Sequence, residues 1–300
     1  MRLAAPAGHQ VLDGDAPREH REVRDQQEPP GSTREMTPRA QDEMTGYVGR
    51  DLLAGRRALV TGGDSGIGRA VAVAFAEEGA DVAIAYLSEH DDAEHTADLV
   101  RGRGRRCILL PGDLADAAHC REVVESTVAH PGGLDIVVNN VAIQEPMDAL
   151  EDITDEQWLH TFDVNIHGFF WVTKAALPHL RQGSAIINTA SVNGLRGNKT
   201  LIDYSATKGA VIAWTYSMAQ ALVDRGIRIN AVAPGPVWTP LIPATMDAET
   251  VSDFGGQVPM GRAAHPDEIA PSYVFFASER LSSYYTGEVL APIGGETMPG

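Results

Sequence analysis

What this 300-residue chain has little of narrows its function before any motif is considered. Its two cysteines, Cys107 and Cys120, form no Cys-x-x-Cys pair and no Cys/His spacing suited to a metal, so both read as idle thiols of a reducing compartment. Positive charge is scarce as well. The 24 Lys and Arg against 41 Asp and Glu leave a net charge of −17, which argues against a nucleic-acid partner and for a soluble, self-repelling surface. The opening Met1-Arg-Leu-Ala-Ala-Pro-Ala7 holds no apolar core of signal-peptide length, and no stretch approaches the ~20 apolar residues of a membrane span. A cytoplasmic protein with no membrane partner is the expectation. Internal repeats are not evident, whereas 43% hydrophobic content is ample for a buried core.

Residues 1–53 are rich in charge, Gln, Pro and Gly and show neither helical nor strand periodicity, so they are expected to form a flexible N-terminal extension. Gln26-Gln-Glu-Pro-Pro-Gly31 and Met36-Thr-Pro38 read as extended or turn segments able to drape over a folded body. From about residue 54 to 300, short Val/Ile/Leu/Ala runs alternate with helix-length amphipathic segments, the pattern of a parallel sheet covered on both faces. Strands are predicted at 58–61, 82–86, 107–110, 136–139, 185–188, 229–233 and 289–293. Helices are predicted to begin near Gly66, Asp91, Asp116, Gln157, Tyr204 and Pro266. The fold class that follows is a single α/β domain, doubly wound (Rossmann), with a parallel seven-stranded sheet and helices on both faces. The stretch 234–261 is too long for an ordinary connection and suggests a substrate-covering loop.

Chemistry concentrates at the strand ends. The first turn, Thr61-Gly-Gly-Asp-Ser-Gly-Ile-Gly68, puts glycines where a strand bends sharply into a helix, exposing backbone N–H groups to an anion such as a pyrophosphate. Its Gly62-x-x-x-Gly66-x-Gly68 spacing differs from Gly-x-Gly-x-x-Gly. The second strand ends Ala85-Tyr86-Leu87-Ser88 without the carboxylate that would exclude a 2'-phosphate, and Ser88 is able to donate to one, which favours NADP over NAD. Asp113 suits either an adenine amino group or the N-cap of the next helix. Asn139 and Asn140 suit either a brace between strand ends and the glycine turn or a plain turn.

Tyr204-Ser-Ala-Thr-Lys208 places a phenol above an ammonium on one helical face. A fixed positive charge favours the phenolate and brings a group of pKa about 10 toward useful acid/base range. Ser191, just after an apolar run, is able to hold a reacting oxygen or to cap local backbone. Asn165 interrupts the apolar pattern 162–170, where a local kink with a water relay to Lys208 competes with a plain surface Asn. His160, His167 and His179 form no recognised ligand set, and Asp203 reads as exposed and without a role.

In this order the glycine turn, Asn139-Asn140, Asn165, Ser191, Tyr204 and Lys208 resemble the short-chain dehydrogenase/reductase family over roughly residues 53–300. The Gln-Glu-Pro-Pro-Gly segment and Gly62-Gly-Asp-Ser-Gly-Ile-Gly-Arg69 are most similar to its bacterial general-stress and aldehyde-reductase subgroup. The resemblance implies a catalytic tetrad of Asn165, Ser191, Tyr204 and Lys208. It implies a cofactor site of Gly62, Asp64, Ser65, Gly66, Ile67, Gly68, Tyr86, Ser88, Asp113, Leu114, Asn139, Val141, Tyr204, Lys208, Pro234, Gly235, Val237 and Thr239. It further implies a homotetramer. Two departures stand out: Asn-Asn-Ala-Gly of the family reads Asn139-Asn-Val-Ala142 here, and the glycine turn lacks a basic residue.

The expected function is hydride transfer between NADP(H), or NAD(H), and a small carbonyl or alcohol substrate, with Tyr204 as general acid/base and no metal. Two rivals are an epimerase or dehydratase with a retained cofactor and a nicotinamide-sensing regulatory protein.

Overall fold

The computed structural model describes residues 26–130 and 132–297. Seven strands, β1 (Arg57–Thr61), β2 (Asp81–Tyr86), β3 (Cys107–Pro111), β4 (Ile136–Asn139), β5 (Ala185–Thr189), β6 (Arg228–Val232) and β7 (Val289–Leu290), form one parallel sheet in the order β3-β2-β1-β4-β5-β6-β7. The seventh strand is shorter than predicted. It pairs with β6 only at Val289 and Leu290, and Pro292, which has no N–H to offer a ladder, follows.

Eleven α-helical segments are described: α1 (Gly66–Glu77), α2 (His90–Gly102), α3 (Ala117–Ala129), α4 (Asp155–Phe162), α5 (Gly168–Ala176), α6 (Val192–Arg196), α7 (Ile202–Leu222), α8 (Leu241–Thr245), α9 (Ala248–Ser252), α10 (Pro266–Ala277) and α11 (Glu279–Ser282). A π-helical turn, Asp163–His167, joins α4 to α5. The predicted covering loop therefore contains α8 and α9.

Strand alternation explains the two layers. Ala58 and Val60 of β1, with Ile136 and Val138 of β4, pack toward α1, α2 and α10, whereas Leu59 and Val137 pack toward α3, α5 and α7. All these side chains are buried, which is why the strands read as continuous apolar runs rather than polar/apolar alternations. Sheet order reverses between β1 and β4, opening a crevice at the carboxyl ends of the strands.

Residues 26–53 contribute no strand and run along this body. Trp238 Nε1 donates to the carbonyl of Pro38 at 2.7 Å, and Met36 and Ala40 share a small apolar cluster with Trp238, Ile242 and Val251. The Tyr47 phenol donates to the Glu78 carboxylate, which also accepts from the N–H groups of Arg50 and Leu52.

Candidate active site

A cavity of about 1190 Å³ opens along the carboxyl ends of β1 to β6. It exceeds the roughly 300–1,000 Å³ usual for a single drug-sized ligand. One end is the glycine turn and the other is the start of α7.

The turn is built by sterics. Gly62 has φ +62, in the left-handed region, and a Cβ on Gly68 would lie 1.8 Å from the Gly62 carbonyl oxygen, so α1 can start against the turn only with hydrogen there. Ser65 precedes α1 in extended conformation and makes no side-chain capping bond, leaving the first helical turn toward the cavity. Asn140 holds the turn in place, its amide donating to the carbonyls of Thr61 and Gly62 at 3.1 Å each. Burial pushes the Asp64 carboxyl beneath it up to about 6. The Gly66 N–H is taken by Asp42 Oδ2 at 3.1 Å, but Ser65 leaves the rest of the first turn uncapped, so this Cβ-free cradle suits a diphosphate and the cavity residues fit a dinucleotide.

At the other end Ser191, Tyr204 and Lys208 share one wall. Ser191 follows β5 and caps α6, accepting from Asn193 N–H at 3.1 Å, and its hydroxyl lies beside the Tyr204 phenol, whose ionisation it favours. Lys208, fully buried, donates from Nζ to the Thr189 carbonyl at 2.8 Å and lies 5.5 Å from the Tyr204 ring centre. Asn165 is fully buried in the π turn. Its amide donates to Ile143 O at 2.9 Å and to Thr207 Oγ1 at 3.2 Å, and it accepts from Ile143 N–H at 2.9 Å. Thr207 in turn donates to Tyr204 O at 2.7 Å, so Asn165 braces the helical turn that carries the phenol. The anticipated kink takes the form of this π turn, which displaces the regular main-chain ladder at Asn165.

The electrostatics differ from the sequence expectation. Burial pushes the Tyr204 phenol up to about 12, with the Ser191 hydrogen bond opposing it, and pushes the Lys208 ammonium down to about 7. The cation was expected to draw the phenol downward. Desolvation outweighs that effect, because both groups lie where ionisation costs hydration, and for Lys208 the cost exceeds what its bond to the Thr189 carbonyl returns.

Several expected cofactor residues do line the cavity: Gly62, Asp64, Ser65, Gly66, Ile67, Tyr86, Asp113, Leu114, Val141, Pro234, Gly235, Val237 and Thr239. Asp113 accepts from Ala115 N–H at 2.8 Å, whereas the N-cap of α3 is Asp116. Three others, Gly68, Asn139 and Ser88, and the tetrad residue Asn165 stand elsewhere. Gly68 works through packing, as above. Asn165 lies behind the wall. Asn139 points between strands, donating to Asn188 Oδ1 at 2.9 Å and Thr173 Oγ1 at 3.1 Å, so of the Asn pair only Asn140 touches the turn. Ser88 donates to Glu89 Oε1 at 2.6 Å and does not line the cavity.

Glu89 does line it, so the β2 end carries a carboxylate one residue beyond the stretch read as lacking one. Asp203 corrects a second expectation: it is fully buried, accepting from Thr161 Oγ1 at 2.8 Å, Gln157 Nε2 at 3.1 Å and Tyr204 N–H at 2.7 Å, and so ties the start of α7 to α4. His160 also reaches the cavity lining. For Asp203 no local signal existed; for Glu89 a wider window past β2 would have found the carboxylate.

Comparison with known proteins agrees with this architecture. The family described as Enoyl-(Acyl carrier protein) reductase matches residues 62–297. General stress protein 39 of Bacillus subtilis (strain 168) is 54% identical over 89% of this chain and 93% of its own length. NADPH-dependent aldehyde reductase 1, chloroplastic, of Arabidopsis thaliana is 44% identical over 90% of this chain and 96% of its own. A crystal structure of a short-chain dehydrogenase from Burkholderia cenocepacia J2315 in complex with NADP superimposes with a TM-score of 0.77 at 34% identity, covering 81% of this chain and 98% of that one.

Proposed function

The chain belongs to the short-chain dehydrogenase/reductase family, in its bacterial general-stress subgroup, and is an NAD(P)-dependent oxidoreductase; on that premise we propose that it reduces small polar carbonyl compounds with NADPH. The observation that carries this reading is the single wall formed by Ser191, Tyr204 and Lys208, set at the far end of a cavity that begins at the glycine turn.

When bound, the nicotinamide supplies hydride to the carbonyl carbon. Tyr204 delivers a proton to the oxygen as negative charge grows there, and the Ser191 hydroxyl holds that oxygen in line. Burial keeps the phenol protonated at neutral pH, the form that donates to a carbonyl oxygen. Lys208 offers donors for ribose hydroxyls and, when protonated, opposes the charge left on Tyr204. Asn165 and Asp203 hold the α7 start in place from behind.

Polar side chains at the substrate end, among them Gln144, His160, Asn193 and Asn198, favour a hydroxylated carbonyl compound over an alkyl one. Support for NADPH comes from the NADP complex and the named aldehyde reductase, while Glu89 keeps NADH in play through its repulsion of a 2'-phosphate. A homotetramer is proposed from the exposed apolar side chains of Leu159 on α4, Phe170 on α5 and Tyr216 on α7. Phe169 and Val211, on α5 and α7, are instead buried in the subunit core. Buried thiols at Cys107 and Cys120 agree with a cytoplasmic location.

The deciding experiment measures initial rates on a panel of alkyl aldehydes, sugar aldehydes and the corresponding alcohols with NADPH and NADH. Absence of nicotinamide oxidation or reduction with every compound would overturn the reading. Light scattering on the eluting protein reports the subunit count.

A further inference from the structure

The N-terminal segment crosses the cavity instead of merely resting on the body. At one end, Gln27 N–H donates to Pro243 O at 2.9 Å and Gln26 Nε2 donates to Met246 O at 3.1 Å, joining it to the covering loop at α8. At the other, Asp92 Oδ2 at the start of α2 accepts from Ser32 Oγ and Thr33 N–H, each at 3.0 Å. Pro29 and Pro30, between these anchors, line the cavity.

The anchor on α2 also reaches the glycine turn. Asp92 Oδ1 lies 2.9 Å from Arg69 Nη2, and the fully buried Arg69 guanidinium donates to Asp64 O at 3.0 and 2.7 Å. Asp42, farther along the same segment, lies 3.2 Å from Arg69 Nη1 and accepts from Gly66 N–H at 3.1 Å. One guanidinium therefore links the extension, α2 and the diphosphate cradle, while the segment's other end holds the covering loop.

We propose that residues 26–33 are a clamp over the dinucleotide site, with Pro29 and Pro30 part of its wall. The proposal rests on the oxidoreductase reading. Seating of the clamp and of the dinucleotide are coupled: each stabilises the other, as linkage requires. The anchor on the covering loop, one exposed Gln26 bond and one main-chain bond, is weak enough to open for entry and exit, while the Asp92 end is buried and stays as the hinge.

Two measurements on the full chain test this. Trypsin cleavage after the exposed Arg34 and Arg39, mapped by mass spectrometry, is expected to slow about fivefold or more in saturating NADPH. Equal rates with and without NADPH overturn the clamp. Gly31→Val is the second probe: Gly31 has φ +80, and a Cβ there would lie 2.8 Å from Pro240 O, so the substitution lifts the segment from the loop. It is expected to raise the NADPH dissociation constant and off-rate about fivefold or more while leaving the cofactor-free melting temperature in place. A dissociation constant within about twofold of the parent's overturns the clamp. A parent chain that binds neither NADPH nor NADH overturns the oxidoreductase reading itself, which separates the two failures. The trypsin comparison uses the unaltered chain and decides the matter even where Gly31→Val does not fold.

Discussion

Lys208 lies 5.5 Å from the centre of the Tyr204 ring yet spends its hydrogen bond on the Thr189 carbonyl at 2.8 Å. The cation is thus held at a fixed place beneath the phenol by β5, with β4 between it and the strand that ends in the glycine turn. Burial lowers the ammonium to about 7 and raises the phenol to about 12, so each group is poised by its surroundings and not by the other alone.

Removing the acid isolates its contribution. Tyr204→Phe is expected to lower kcat by about 10²–10⁴-fold with NADPH affinity preserved, since the ring still packs while the proton is gone. Paired steady-state and fluorescence-titration measurements check it. Full activity in the variant would remove Tyr204 from the chemistry, and an unchanged biological effect without turnover would favour the sensor.

Lys208 links cofactor binding to protons. Above about pH 7 the buried amine is largely neutral, so a dinucleotide that uses its charge must take up a proton on binding. NADPH affinity is expected to fall by up to about tenfold per pH unit above 7, and Lys208→Met to weaken binding and flatten the profile. Calorimetry in two buffers of different ionisation enthalpy reads the proton directly. A parent profile as flat as the variant's counts against this role.

Glu89 is expected to set the balance between cofactors. Its carboxylate lines the cavity beyond β2, where a 2'-phosphate would meet a like charge. Glu89→Gln is expected to raise kcat/KM for NADPH relative to NADH by about 5- to 50-fold, a gain of about 1–2 kcal/mol. An unchanged ratio means that Glu89 does not face the adenosine ribose.

Asp42 carries a stability signature. Burial raises its carboxyl from 3.8 to about 6, so the folded state binds this proton more tightly than the unfolded chain does. Stability therefore falls as pH rises from about 4 to about 6 and levels off above, by about 2–3 kcal/mol from this group. Asp64, raised likewise to about 6, adds a change of the same sign. Denaturant titrations at pH 4.5 and 7 should show a smaller difference for Asp42→Asn than for the parent; an equal difference would locate the titration elsewhere.

The sheet and the reactive residue types were legible in the sequence because their signals are local. Continuous apolar runs of strand length mark the sheet, glycines mark a turn that leaves no space for Cβ, and Tyr204 and Lys208 sit four apart on one helix. Ser191 and Asn165 could be named from their order along the chain. Their company could not be seen there. Contacts between residues far apart in sequence were decided by packing alone: Asp203 buried against Thr161, Ser88 turned to Glu89 and away from the cavity, Asn139 turned between strands while Asn140 grips the turn. The extension shows the division most sharply. With no periodicity it has no core of its own, and its residues 26–53 are held in place only because the assembled body offers Asp92, Arg69 and the covering loop as partners for their polar groups. Local pattern determined which elements form and which chemistry is available; the folded surface determined which side chains face the cavity, because orientation and desolvation depend on neighbours brought together only in three dimensions.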